Sequence, residues 1–290
     1  MKQLLILSGK GGTGKTTVAS AFIQLAAAKA YADCDVDAPN LHLVRPLASP
    51  AKVADYYGMG KALIDEETCI NCGSCRQHCR FEAIKESDGK YEVDVFACEG
   101  CGVCEAICPV GAVVLQPDVA GELRVYKDKD IFSTARLKMG SGTSGKLVTE
   151  VKKQLKDETE NLDIDLSVID GSPGIGCPVI ASLSGVDMVL IVAEPSLSGI
   201  SDMERIIKLA QGFSLKLAVC VNKYDTNPDL THKIEAFCRE HGLPFAGKIP
   251  FDAKALKATN QGQSIIEVDC SAGRAVTEVY SNTMNVLNKE

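Results

Sequence analysis

The chain has 290 residues, of which 46% are hydrophobic and 24% charged, so it can bury the core of one large domain or of two smaller ones. Its 38 acidic and 31 basic residues give a formal net charge of −7, which argues against a general nucleic-acid-binding surface. No apolar run approaches the roughly 20 residues that a transmembrane helix needs. The sequence therefore predicts a soluble, cytoplasmic protein without a nucleic-acid partner and without direct membrane binding.

The first predicted elements are a strand, a glycine-rich loop and a helix. Residues 2–8 predict a buried parallel strand, and residues 17–29 have the apolar content of a packed helix. Between them, residues 9–16 match Gly-x4-Gly-Lys-Thr, the phosphate-binding loop. In that motif backbone N–H groups surround the phosphates, Lys15 reaches the β- and γ-phosphate oxygens and Thr16 binds Mg²⁺. The candidate nucleotide-binding residues here are Gly9, Lys10, Gly11, Gly12, Thr13, Gly14, Lys15, Thr16 and Thr17.

A second lysine, Lys10, follows the first glycine of the loop. With it, the segment Lys-Gly-Gly-x-Gly-Lys-Thr-Thr resembles the deviant phosphate-binding loop of the MinD/ParA/Mrp group of ATPases, which includes the nitrogenase iron protein. In that group the extra lysine reaches across a dimer to the nucleotide of the partner subunit. The resemblance therefore implies that Lys10 acts in trans, in an ATP-dependent homodimer or in a heterodimer with a paralogue.

Two further segments resemble the switches of the same group. Residues 33–41 are similar to its first switch, in which the second aspartate of Asp-x-Asp orients the attacking water, and this role falls on Asp35. Residues 168–174 resemble its second switch, where a strand-end aspartate holds Mg²⁺ through water and a glycine N–H senses the γ-phosphate. Those roles fall on Asp170 and Gly174. The implied catalytic residues are Lys10, Lys15, Asp35 and Asp170.

Eight cysteines in the middle of the chain form two runs with one spacing, Cys-x2-Cys-x2-Cys-x3-Cys. This is the pattern of bacterial ferredoxins, in which the fourth cysteine of each run binds the cluster of the other run. It predicts two [4Fe–4S] clusters. The ligands of the first would be Cys69, Cys72, Cys75 and Cys108, and those of the second Cys98, Cys101, Cys104 and Cys79.

Zinc is the alternative for these thiols, because Cys-x2-Cys pairs also occur in zinc ribbons. A disulfide framework is disfavoured because the chain opens directly into a strand without an export signal, which places the thiols in a reducing compartment. The first run departs from the ferredoxin pattern at Arg80, where a proline is usual, whereas the second run has Pro109. We expect this departure to change local geometry or potential rather than to abolish ligation by Cys79.

The cysteine-rich segment is also acidic. Residues 65–117 carry ten acidic and four basic side chains, so a charge of −6 out of the total of −7 lies there. A surface of this kind is either simply solvated or a docking face for a redox or client protein with a basic patch.

The base of the nucleotide is assigned from the second half of the chain. Residues 217–225 predict a strand that ends in Asn-Lys-x-Asp, which resembles the guanine-reading motif of GTPases. In the MinD-like group an asparagine at the same strand end, here Asn222, contacts adenine instead. The extra lysine Lys10 favours ATP over GTP. Residues 248–252, with Pro250, resemble the second wall of the group's base pocket.

The order of the elements predicts the architecture. From residue 164 onward apolar strands alternate with amphipathic helices, which predicts an α/β fold with a doubly wound, mostly parallel sheet and ligands at its carboxyl edge. Only four residues, 29–32, separate the first helix from Asp33, so the helix ends early or the second strand is short. The predicted domains are 1–62 and 118–290, the two parts of an ATPase domain, and 63–117, a ferredoxin-like α+β insert.

Nearly the whole chain resembles a subgroup of MinD-superfamily ATPases with an inserted two-cluster ferredoxin domain. The resemblance implies a slow, partner-stimulated ATPase with ATP, Mg²⁺ and two [4Fe–4S] clusters, in which nucleotide state controls dimerisation and couples to electron transfer or partner docking. The alternatives are an iron–sulfur cluster carrier or scaffold, and a complex-assembly or positioning ATPase with structural or redox-sensing clusters. The role of Cys177, seven residues after Asp170, stays open.

Overall fold

The computed structural model describes residues 1–45 and 49–289. Its strands are β1 (Lys2–Leu7), β2 (Ala30–Asp33), β3 (Lys52–Tyr57), β4 (Lys61–Ile64), β5 (Ile84–Ser87), β6 (Lys90–Val93), β7 (Val113–Gln116), β8 (Val119–Lys127), β9 (Ile131–Leu137), β10 (Leu166–Asp170), β11 (Met188–Ala193), β12 (Lys216–Asn222) and β13 (Phe245–Ile249). Its helices are α1 (Lys15–Leu25), α2 (Ser74–His78), α3 (Val103–Ala106), α4 (Ser144–Thr159), α5 (Cys177–Leu183), α6 (Leu197–Gln211), α7 (Pro228–Glu240), α8 (Ala253–Asn260) and α9 (Ser271–Asn288).

Nine strands form one sheet in the order β13-β12-β11-β1-β10-β2-β9-β8-β3. Every pair from β13 to β9 is parallel, and only the β9–β8 and β8–β3 pairs are antiparallel. The prediction of a mostly parallel sheet is confirmed. Strands β1, β10 and β2 lie side by side at its centre, so their carboxyl ends meet at one edge of the sheet.

Both faces of the sheet are covered by helices. Alternate side chains of β1 point to opposite faces, so Leu5 and Leu7 pack with residues of α4, α5, α6 and α7. Leu4 and Ile6 pack on the other face with residues of α1, α8 and α9. All four side chains are fully buried. The sheet is therefore doubly wound, as predicted.

The first helix is shorter than the predicted 17–29. It runs from Lys15 to Leu25, and Ala27 then adopts a left-handed backbone conformation with φ of 45° that a continuing helix cannot contain. The chain turns there and enters β2, which has four residues, all buried. The early end of the helix and the short strand are both observed.

The cysteine-rich segment lies between β3 and β8, which pair with each other in the main sheet. It contains two small antiparallel sheets, β4 with β7 and β5 with β6, and the short helices α2 and α3. It also has a small apolar cluster of its own, which includes Ala62, Ile84 and Val113. In the described part of the chain no helix is both long enough and apolar enough to cross a membrane.

Candidate functional site

The glycine-rich loop joins β1 to α1 and forms one side of a cavity of about 710 Å³. This volume falls in the range of small-molecule and cofactor sites, roughly 300–1,000 Å³. Gly14 precedes α1 with φ of 89°, and a Cβ atom there would collide with the side-chain amide of Asn222. Glycine is required at this position both for the backbone conformation and for the approach of Asn222.

Lys15 and Asp170 form a buried ion pair at the carboxyl edge of the sheet. Lys15 Nζ lies 2.5 Å from Asp170 Oδ1, and the two side chains are 6% and 0% exposed. Burial lowers the pKa of Lys15, but the nearby carboxylates, first Asp170 and then Asp33, outweigh it and leave the pKa above its usual value. Asp170 Oδ2 is buried and has no hydrogen-bond partner in the described chain. It is a buried acceptor with its lone pairs unused.

Asp33, to which the sequence interpretation gave no role, belongs to the same cluster. Its Cα pairs with that of Asp170 across β2 and β10, and its side chain is fully buried. Burial, followed by the charge of Asp170, raises the pKa of Asp33 to about 7. The signal was available in the sequence, because Asp33 is the first member of the Asp-x-Asp pair and follows the apolar residues of β2.

The carboxylate of Asp33 also organises the segment that resembles the first switch. Its Oδ1 accepts a hydrogen bond from the Asp35 N–H at 3.0 Å, and its Oδ2 accepts from Asn40 N–H at 2.9 Å and Leu41 N–H at 3.0 Å. Three backbone groups over a stretch of seven positions thus depend on one side chain. Asp33 acts here as a positioning residue for Asp35.

Asp35 lines the cavity together with Lys15 and the rest of the phosphate-binding loop. Burial raises its pKa, and the charge of Lys15 partly offsets that shift. Gly174 lies beside the same loop with φ of 94°, and its N–H donates to the Ser8 carbonyl at 3.0 Å. The group predicted to sense a γ-phosphate is therefore bonded to the chain itself.

Lys10 is also bonded within its own chain. Its Nζ lies 2.9 Å from Glu194 Oε2 and within 3.3 Å of the hydroxyls of Ser196 and Ser198. Glu194 directly follows β11, and the exposed fractions of the Lys10 and Glu194 side chains are 37% and 22%. Sequence reasoning did not single out Glu194, because a strand-end carboxylate has no motif that marks it.

Asn222 and Pro250 also line the cavity. Asn222 Nδ2 donates to the Thr13 carbonyl at 2.6 Å, which ties the end of β12 to the phosphate-binding loop. Asp225, the last residue of Asn-Lys-x-Asp, accepts the Phe251 N–H at 2.7 Å. This aspartate therefore joins the segment after β12 to the segment after β13.

Four of the eight cysteines, drawn from both runs, line one small apolar cavity of about 20 Å³. They are Cys79, Cys98, Cys101 and Cys104. Cys79 of the first run thus lies with three cysteines of the second run. Burial raises the pKa of Cys104, and the nearby thiols of Cys98 and Cys101 raise it further. Burial is also the largest cause of the raised pKa of Cys75, and the neighbouring thiols of Cys69 and Cys72 add to it.

Cys108 belongs to the same apolar cluster as Cys75, and its Sγ accepts the Ala112 N–H at 3.2 Å. Burial raises the pKa of Cys108, but N–H groups of residues 110–113 outweigh it and hold the pKa below its usual value. Cys72 and Cys101 are exposed. Within residues 1–45 and 49–289, no three His, Cys, Asp or Glu side chains are arranged to hold a single metal ion.

One protein family matches the region that contains the phosphate-binding loop, the switch-like segments, Asn222 and Pro250. The model of the CobQ/CobB/MinD/ParA nucleotide-binding domain matches residues 4–265. The chain belongs to this family. The match confirms the MinD/ParA part of the resemblance, and nucleotide binding is what this family of domains is named for.

Individual proteins are similar to this chain over most of its length. An uncharacterized protein of Methanocaldococcus jannaschii is 31% identical over 253 residues, which is 86% of each chain. The iron-sulfur cluster carrier protein of Pyrococcus furiosus is 25% identical over 304 residues, covering 99% of this chain and 87% of the relative. The solved structure of the cell division ATPase MinD from P. furiosus matches with a TM-score of 0.58 and 17% identity, covering 98% of this chain and 99% of that one. At this identity the structural match shows a common fold.

Proposed function

We propose that this MinD/ParA-family chain is an ATP-hydrolysing protein that dimerises on binding ATP and couples its nucleotide state to two [4Fe–4S] clusters. The observation that carries the proposal is the pocket lined by Cys79 together with Cys98, Cys101 and Cys104, in the same chain as a family nucleotide site. The ferredoxin pattern predicts this arrangement, because the fourth cysteine of one run binds the cluster that is held by three cysteines of the other.

The proposed nucleotide chemistry starts from the Lys15–Asp170 pair. A bound triphosphate offers Lys15 oxygen ligands of greater charge than one carboxylate, so Lys15 moves from Asp170 to the β- and γ-phosphates. Thr16 would bind Mg²⁺ directly and Asp170 would hold it through water, and the ion would neutralise charge on the phosphates. Asp35 is held by the Asp33 carboxylate through its N–H and orients the attacking water.

Dimerisation is proposed to depend on a second exchange of partners. Lys10 leaves Glu194 and binds the phosphates of the partner subunit, while the Gly174 N–H leaves the Ser8 carbonyl for the γ-phosphate. Hydrolysis removes the group that holds both residues, and the intrachain contacts re-form. The γ-phosphate therefore controls the association of two subunits.

The cysteines fit the proposed clusters by their donor chemistry. Thiolates are the ligands of [4Fe–4S] clusters, and most of the other side chains that line the pocket at Cys79 are apolar, such as Phe81, Val93 and Leu115. Cys69, Cys72, Cys75 and Cys108 would hold one cluster, and Cys98, Cys101, Cys104 and Cys79 the other. The clusters would supply one-electron chemistry. The Ala112 N–H bond to Cys108 stabilises the thiolate form of that ligand.

The test is an anaerobic iron and sulfide count with EPR of the dithionite-reduced protein, with and without ATP and Mg²⁺. We expect about eight irons per chain and a spectrum or potential that changes with nucleotide. Lys10→Ala should abolish ATP-dependent dimerisation and hydrolysis and leave the iron content unchanged. Normal ATP turnover by this variant would contradict the proposed role of Lys10, and a chain without iron would contradict the cluster assignment.

A second candidate function is cluster delivery to client proteins. It is favoured by the relative named iron-sulfur cluster carrier protein, whose similarity covers 99% of this chain, and by the exposure of Cys72 and Cys101. Anaerobic incubation of the loaded protein with an apo-ferredoxin distinguishes the two functions. Transfer of iron and sulfide to the apo-protein supports a carrier, whereas reversible reduction without transfer supports electron transfer.

A further inference from the structure

We propose that the connector, defined as residues 138–143 between β9 and α4, transmits the nucleotide state to the cysteine-rich segment. The inference deepens the proposed function and rests on it. The residue before the connector is hydrogen-bonded to the first switch-like segment, and the first turn of the helix after it packs on Cys177, three residues beyond the second. Gly142, within the connector, contacts the loop between Cys98 and Cys101. Coupling between distant sites is carried by contiguous packed groups and hydrogen bonds of this kind.

The first contact joins the connector to the segment that carries Asp35. The Leu137 N–H, directly before the connector, donates to the Val36 carbonyl at 2.9 Å, and Val36 directly follows Asp35. The next residue, Lys138, donates its N–H to the Ala120 carbonyl of β8 at 2.8 Å. A shift of the Asp35 backbone on nucleotide binding is therefore passed directly to the start of the connector.

The second contact joins the helix that follows the connector to Cys177, three residues beyond Gly174. Gly145 lies in the first turn of α4, and a Cβ atom there would lie 3.1 Å from both the Cβ and the carbonyl oxygen of Cys177. Such a distance is shorter than ordinary packing, so α4 starts in direct backbone contact with the residue that begins α5. Movement after Gly174 displaces Cys177 and, with it, the end of the connector.

The third contact reaches the cysteine-rich segment. A Cβ atom on Gly142 would lie 2.6 Å from Glu99 Oε2, so the Glu99 carboxylate rests on the connector backbone. Glu99 directly follows Cys98, and both residues line the cavity that contains Cys101 and Cys104. The Phe96 ring lies near the other glycine of the connector, 3.8 Å from the position of a Cβ atom on Gly140.

Glycine is needed at each of these three positions for a different physical reason. Gly140 has φ of 81°, which favours glycine for its backbone conformation. Gly142 and Gly145 leave room for Glu99 and Cys177. A side chain at Gly142 would displace the Glu99 carboxylate, which is the flexible end of its side chain, so the contact would be lost while the fold is kept. The variant can therefore test the coupling between the connector and Glu99 without unfolding the protein.

Hydrogen–deuterium exchange of the full cluster-loaded chain, with and without Mg²⁺ and a non-hydrolysable ATP analogue, tests the connector. In the wild type we expect the analogue to slow exchange in the phosphate-binding loop, in residues 138–145 and in residues 96–101. In Gly142→Ala and in Glu99→Ala the change at 96–101 should be lost, while the changes in the loop and at 138–145 remain. Iron content is measured on every sample.

Two control variants accompany the test. Gly212→Ala adds the same methyl group where the nearest atom, the Leu209 carbonyl oxygen, is 3.4 Å away, and Glu92→Ala removes the same charge from the same segment. Both should respond as the wild type does. A full response at 96–101 in Gly142→Ala and Glu99→Ala would overturn the connector proposal.

In the wild-type protein, the pattern of protection distinguishes failure of the connector proposal from failure of the proposed function. If the phosphate-binding loop is protected but residues 138–145 are not, the connector proposal is overturned and nucleotide binding stands. If the analogue protects no part of the loop, the proposed function is overturned, and the role of the connector with it.

Discussion

Replacing Glu194 by glutamine should strengthen ATP-dependent dimerisation. Glu194 holds Lys10 in its own subunit at 2.9 Å, while the proposed dimer requires Lys10 at the nucleotide of the partner. The dimer therefore forms only after this ion pair breaks. Glutamine keeps the size of the side chain and removes its charge, so the free monomer loses a stabilising contact that the dimer lacks.

The size of the effect follows from the exposure of the pair. With side chains 37% and 22% exposed, the pair is screened by solvent and is worth about 0.2–1 kcal/mol. Each dimer breaks two such pairs, which makes about 0.4–2 kcal/mol in total. The dissociation constant of the ATP-bound dimer should thus fall by about 2-fold to 30-fold. The gain should shrink at high salt, because salt weakens the pair in the wild type.

Sedimentation velocity with Mg²⁺ and a non-hydrolysable ATP analogue, over a range of protein concentrations, measures this constant. Glu204→Gln, which removes an exposed carboxylate from α6, is the control and should leave the constant unchanged. An unchanged or weaker dimer in Glu194→Gln would refute the competition between Glu194 and the partner's phosphates. Lys10→Ala in the same background should abolish the dimer in either case.

Three further outcomes test the buried charges and the cysteines. Lys15→Ala should abolish nucleotide binding and lower the free energy of unfolding by about 3–5 kcal/mol, measured by urea denaturation, because it leaves Asp170 as an uncompensated buried charge; equal stability would contradict the ion pair. The pKa of Asp33 is raised to about 7 from 3.8, so this residue should contribute stability at pH 4 that is lost as the pH rises through 7, up to about 4 kcal/mol. The difference in the free energy of unfolding between wild type and Asp33→Asn, measured across that range, should reveal this loss. A difference that stays constant with pH would contradict it. Cys104→Ser should lower the iron content per chain with ATP binding retained, and an unchanged iron count would remove Cys104 from the ligand set.

The local motifs were predictable because their chemistry depends on residues close together in the chain. Residues 9–16 contain the glycines, the lysine and the threonine of a phosphate-binding loop, and the loop does lie between β1 and α1. The alternation of apolar strands and amphipathic helices likewise predicted the doubly wound sheet. The end of α1 was predicted too late, because alanine is a good helix former and nothing local marks Ala27 for a left-handed conformation.

The contacts between distant segments could not be predicted in the same way. Glu194 meets Lys10 because β11 and β1 are adjacent strands with parallel carboxyl ends. Asp33 meets Asp170 because β2 pairs with β10, and only their common burial gives Asp33 its raised pKa. In both pairs, nothing in the sequence around one residue indicates which residue it will contact.

The sequence by itself determined the kinds of chemistry in this protein, a triphosphate-binding loop and eight regularly spaced thiols, because each depends on residue type and short-range spacing. The tertiary structure alone decided how these parts are connected. Lys10 is held by Glu194, Lys15 by Asp170, and Glu99 rests on Gly142. The physical reason is that burial, charge pairing and close packing depend on which strands and loops are neighbours in space, and the sheet order sets those neighbours.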